Sequence, residues 1–164
     1  MKYARLLLAP MVVGALVWAQ APPAAVLAVQ GDIAAPLSLT ADDLAKMPRQ
    51  TVSVPAPDGT KIVYEGVTLL AVLQKAGAPF GKQLRGKVLS SYVLAKAMDG
   101  YQVVFTLGEL DPDFGNESVL VADKRDGKPL GEKQGPFRLV CPNDHEGARS
   151  VRMLETLEIV RLAK

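Results

Sequence analysis

Few side chains in this sequence are equipped for chemistry. Cys141 is the one cysteine and His145 the one histidine of 164 residues. A single cysteine excludes an internal disulfide framework and a cysteine-cluster zinc site. A single histidine excludes a two-histidine metal site and with it most metal-hydrolase chemistry. Cys141 follows Leu139 and Val140 in an apolar strand, where a thiol packs as a small hydrophobe, and it reads as a buried thiol. His145 stands in the polar stretch Asn143-Asp144-His145-Glu146. It could ligate or shuttle protons, but in such a loop it reads as solvated. Asp111 to Glu117 has a faint calcium-loop character. Its glycine comes one place early and position twelve is Ala122, so it reads as a turn. Asp99-Gly100-Tyr101 reads foremost as a hairpin, with Tyr101 either lining a pocket or sitting in the core. No Walker-type phosphate loop and no GxSxG elbow occurs.

The elements that must position these residues are short. Hydrophobic residues make up 49% and charged residues 22%, a globular mix that excludes a disordered, collagen-like or polytopic membrane chain. Thr40 is predicted to cap a helix that carries Asp42 and Asp43 in its first turn and stops before Pro48. Thr51 to Val54 and Lys61 to Glu65 alternate around the Pro57-Asp58-Gly59 turn and predict a hairpin. A second helix is expected from Thr68 to Ala76, closed by Gly77. Strands are expected over 88–94, 101–105, 118–122, 137–141 and 157–162, with turns at Asp99-Gly100 and Asp126-Gly127 and a helical turn capped by Thr106. Many short strands with a few short helices predict an α+β domain with a mixed or antiparallel sheet.

The N-terminus reads as a leader. Lys2 and Arg5 precede an apolar run of about 12 residues, against the roughly 20 that a spanning helix needs. Val17-Trp18-Ala19 offers a cleavage site after Ala19. The expected organisation is a signal peptide over 1–19, a tether and start of the domain over 20–36, and the domain over 37–164. An uncleaved anchor running to Ala28 is the alternative. Removal of Lys2 and Arg5 brings the 19 basic residues level with the 17 acidic ones, so a nucleic-acid partner is not expected. The expected location is periplasmic or secreted, with no membrane span after cleavage. No twin-arginine pair is present, so passage in the unfolded state is expected.

The order of motifs carries a resemblance. Tyr64-Glu65-Gly66-Val67-Thr68-Leu69 is followed by Asp99-Gly100-Tyr101, Leu107-Gly108-Glu109-Leu110, Val119-Leu120-Val121-Ala122 and Asp126-Gly127-Lys128-Pro129-Leu130. Gly135-Pro136-Phe137-Arg138-Leu139-Val140-Cys141-Pro142 and Ser150-Val151-Arg152 complete the series. This series resembles the molybdopterin-binding domain of the sulfite oxidase family over roughly Leu37 to Leu162. The resemblance implies a sulfite-oxidase-type molybdopterin-binding fold and, for an enzyme, a molybdopterin-dependent oxidoreductase. It implies cofactor contacts at Gln134 and Arg138 and a phosphate-binding turn at Ser150, Val151 and Arg152. In the family a cysteine thiolate holds molybdenum, a soft ligand suited to redox cycling. The matching stretch, Thr51-Val52-Ser53-Val54-Pro55, has no cysteine; Ser53 or Val54 takes its place. The expectation is therefore an exported family member with a pocket for molybdopterin or another small anion, and with no catalytic residue or metal ligand assigned. The alternative is a non-enzymatic interaction module, engaging a protein partner, that kept the fold and lost the site.

Overall fold

Period-two burial builds two five-stranded sheets in the computed structural model, which describes residues 25–162. The leader and the first part of the tether lie outside the described residues. The first sheet contains β1 (Leu27–Gly31) and β2 (Leu37–Leu39), and the second opens with the hairpin of β3 (Gln50–Pro55) and β4 (Lys61–Thr68). β5 (Ser91–Ala97), β6 (Gln102–Thr106) and β10 (Leu154–Arg161) complete the first sheet, in the order β2-β1-β10-β5-β6. In the second sheet β4 pairs with β7 (Leu120–Arg125). The far edge of β7 is shared by β8 (Lys128–Pro129) and β9 (Arg138–Val140). Among the described strands β1 runs parallel to β10 and the other pairs are antiparallel. The expected α+β class with a mixed sheet holds, divided between two sheets.

The helices form where capping chemistry allows. Thr40 caps α1 (Ala41–Ala45): its hydroxyl accepts from Asp43 N at 3.2 Å, and Asp43 accepts the Thr40 N–H at 3.0 Å. Thr68 and Thr106 likewise accept N–H groups of α2 (Leu69–Lys75) and α3 (Leu107–Leu110). Their apolar residues Leu69, Val72, Leu73, Leu107 and Leu110 enter the main core.

Several boundaries differ from the sequence reading. β1 begins inside the stretch read as a tether, where Leu27 and Val29 alternate into the core and the strand pairs along β10. Gly86–Ser90 is a 3₁₀ turn, closed by the Ser90 hydroxyl donating to the Lys87 carbonyl at 2.7 Å, so the strand expected from Val88 starts at Ser91. β7 runs on to Arg125 because Asp123, in mid-strand, is neutralised by Arg49.

Alternation also gives the second sheet two apolar faces. Val67, Val121 and Leu139 face the main core with Phe105 and Phe137. Tyr64, Leu120, Ala122 and Val140 face the other way, with Val52, Val54 and Ile62 packed against them. Arg138, two residues before Val140, falls by parity on this outer face.

Candidate functional site

The outer face of the second sheet forms the floor of a cavity of about 260 Å³. Arg138 projects from β9 into its wall and is only 8% exposed. Its Nη1 donates to the Tyr64 hydroxyl and to Gln134 Oε1, both at 2.8 Å, and its guanidinium lies 4.8 Å from the Tyr64 ring centroid. No carboxylate pairs with it among the described residues, and Nη2 has no protein partner there. Burial is the main force pushing Arg138 below the usual guanidinium pKa; the positive charges of Arg152 and Arg125 add to it and Tyr64 opposes it. A guanidinium does not lose its proton in practice, so the site carries a buried, uncompensated cation.

The roof is the turn leading to β10. Ser150 and Arg152 line the same cavity as Arg138. The Ser150 hydroxyl accepts from Cys141 N at 3.1 Å. Val151 points away, fully buried in the main core. The N–H groups of Ser150 and Val151 donate to the carbonyls of Gly147 and Arg149. What the turn offers a ligand is therefore the Ser150 hydroxyl and the exposed Arg152 guanidinium. Gln134 holds Arg138 from behind and lines a separate cavity of about 590 Å³ beside Arg125.

Arg149, which no sequence motif marks, ties this roof down. It donates to both oxygens of Asp144 at 2.6 and 2.8 Å and to Glu109 at 3.0 Å, and stacks 5.2 Å from the Phe105 centroid. The bonds from Arg149 hold the Asp144 carboxyl below its ordinary pKa. Signals for this clamp were too common to notice, since an Asp and an Arg five residues apart in a loop describe any solvated segment.

The remaining candidates fall out clearly. Cys141 is a free thiol, 5% exposed, with Sγ against the Arg149 carbonyl at 3.6 Å. Burial first, then the charge of Asp144, pushes it up to about 12. It is a packed thiol, as its place in the strand predicts. His145 lies exposed at the cavity mouth. Tyr101, 48% exposed, is no core tyrosine: it lines an adjoining cleft of about 270 Å³ and donates its hydroxyl to the Ala148 carbonyl at 2.7 Å. That cleft shares Ser150 and Arg152 with the Arg138 cavity. Asp111 builds a turn, its carboxylate accepting from the N–H groups of Gly81 and Asp113. Among the described residues no three His, Cys, Asp or Glu side chains converge as a metal-binding group, and no helix is long and apolar enough to cross a membrane.

The family model for the oxidoreductase molybdopterin binding domain matches residues 58–163. The chain belongs to that family. Among solved structures it is similar to the sulfane dehydrogenase SoxCD from Paracoccus pantotrophus, with a TM-score of 0.63 and 23% identity over 82% of this chain. At that identity the likeness shows the fold. The chain spans 38% of the SoxCD chain it matches. No curated protein shows comparable sequence similarity.

The cofactor implied by the family makes two demands, and the residues present answer one. Its anionic phosphate suits a cavity walled by Arg138, Arg152 and the Ser150 hydroxyl. Its metal needs a thiolate on the β3 side. There Val54 lines the cavity, while the neighbouring exposed Ser53 is not part of its lining. Cys141 belongs to the main core and is held as a neutral thiol. These residues fit an anion and do not fit molybdenum ligation of the family's kind.

Proposed function

We propose that this protein is an exported member of the molybdopterin-binding oxidoreductase family that binds a small anion or the phosphate end of a pterin, without the family's molybdenum redox chemistry. The observation that carries the reading is Arg138: a buried guanidinium with neither a carboxylate partner nor a partner for Nη2 among the described residues, and with Arg152 facing the same cavity. A buried unpaired charge is costly, and an anion between two guanidinium groups offsets that cost. Export rests on the Lys2/Arg5, apolar run and Val17-Trp18-Ala19 order. It agrees with a site lacking metal ligation, since a chain threaded unfolded leaves a cytoplasmically loaded cofactor behind.

The test is ligand-linked stability. Phosphate or sulfate raises the melting temperature, with chloride at equal ionic strength as control. A hundredfold excess over Kd corresponds to about 2.7 kcal/mol. Arg138→Ala with Arg152→Ala abolishes the shift. Equal responses in wild type and double variant overturn the anion site and leave the interaction-module alternative. Export is checked separately: N-terminal sequencing of the secreted form starts at or beside Gln20, and retention of Met1 refutes cleavage.

A further inference from the structure

The departure at β3 gives the cavity a second character. Beside Arg138, Arg152 and Ser150, its lining includes the apolar side chains Val54, Pro55, Val140 and Pro142. Val54 and Val140 belong to or pack on the apolar cluster on the outer face of the second sheet. Among the described residues the one carboxylate at the cavity, Asp144, has both oxygens engaged by Arg149. His145 is at the exposed mouth, and the Cys141 thiol beside the apolar wall is uncharged at neutral pH. The lining therefore offers cationic donors and hydrocarbon together. At about 260 Å³ it lies just below the ~300–1,000 Å³ of pockets that take drug-sized molecules.

We infer that the site is built for a small amphiphilic oxyanion: a sulfonate, phosphate ester or carboxylate whose short apolar substituent lies against Val54, Val140 and Pro142. The inference rests on the anion-binding reading above and narrows its ligand class. Bare inorganic anions engage the Arg138 donors and leave the apolar wall wet. Lengthening the substituent replaces that water with hydrocarbon contact, a gain of about fourfold in affinity per buried methylene until the cavity is full. The same wall that removes metal ligation becomes the element that selects the ligand.

The experiment is calorimetric titration of the full chain with linear alkanesulfonates from methane- to pentanesulfonate, whose charge is constant across the series. The expected result is weak binding of methanesulfonate, lost in Arg138→Ala, and a stepwise rise of about fourfold per methylene that then stops. Val54→Asn places an uncharged polar group on the wall; it should flatten the series while methanesulfonate still binds. Val54→Leu fills the wall and should make the rise stop at a shorter chain. Both variants are checked for wild-type-like thermal unfolding, and Val54→Leu keeps the test decisive if Val54→Asn fails to fold. Arg138-dependent methanesulfonate binding with no gain on lengthening overturns this inference and leaves the anion site standing. A rise insensitive to both Val54 variants also overturns it, because the substituent then lies elsewhere. Absence of binding across the whole series overturns the anion site itself.

Discussion

Replacing Arg149 with methionine should release the segment from Pro142 to Arg149 that covers Cys141 and roofs the cavity. The guanidinium makes two bonds to Asp144, one to Glu109, and a stacking contact with Phe105. Its side chain is 36% exposed, so each ion pair is screened and belongs near the exposed-pair range. The fork on the better-buried Asp144 contributes about 1 kcal/mol, and the Glu109 bond and the ring contact about 0.5 kcal/mol each. Losing about 2 kcal/mol of closure raises the open population about thirtyfold, since each 1.4 kcal/mol is a factor of ten. Methionine keeps apolar contact with Phe105, so the variant isolates the polar clamp. Cys141 is the reporter. In the closed state its thiol is buried and pushed up to about 12, so labelling proceeds through the open state, where its pKa returns to about 8.5. The assay is the rate of thiol modification of the native protein at pH 8, with unfolding by urea measured in parallel. Wild type should label slowly and Arg149→Met about thirtyfold faster at unchanged global fold. Equal rates, or fast labelling of wild type, would refute the clamp.

Other consequences follow from single contacts. Arg49→Met leaves Asp123, 7% exposed, as a buried unpaired carboxylate and should cost about 3 kcal/mol in urea unfolding, whereas Arg49→Met with Asp123→Leu should come close to wild type. A Cβ at Gly66, where the β4–β7 register shifts, would strike the Val121 carbonyl, so Gly66→Ala should destabilise by about 3 kcal/mol and lower the yield of soluble protein. The folded Asp144 carboxyl titrates below its unfolded value of about 3.9. Its stabilising contribution is therefore complete above that pH and lost as pH falls through the lower folded value, so the native labelling rate, divided by that of the urea-unfolded chain at the same pH, should rise below pH 4 in wild type and lose that dependence in Asp144→Asn.

The sequence alone determined most of the local structure, because its signals are local. Thr40, Thr68 and Thr106 each precede a helix whose first turn needs an acceptor, and each caps one. Asp126-Gly127 marks a hairpin because both residues adopt positive φ, 50° and 75°. Cys141 is legible as a buried thiol from the apolar run it ends. The ordered motifs, none decisive singly, gave the family. β1 was not legible: five residues beside an Ala/Pro-rich stretch become a strand only because β10 offers a partner 128 positions later.

Tertiary structure decided the site. Sequence could name Arg138 and Arg152, yet surface arginines are usually paired with carboxylates. Only the fold shows Arg138 buried on the outer face of β9 with Tyr64 and Gln134 as neutral partners. Sequence left Ser53 and Val54 as equals at the place of the family's cysteine. The pairing of β3 with β4 turns Val54 to the cavity and leaves Ser53 out of its lining. The physical reason is common to both cases: capping and turn preferences are properties of a few consecutive residues, whereas charge compensation and the direction a strand residue faces depend on what distant strands bring beside it.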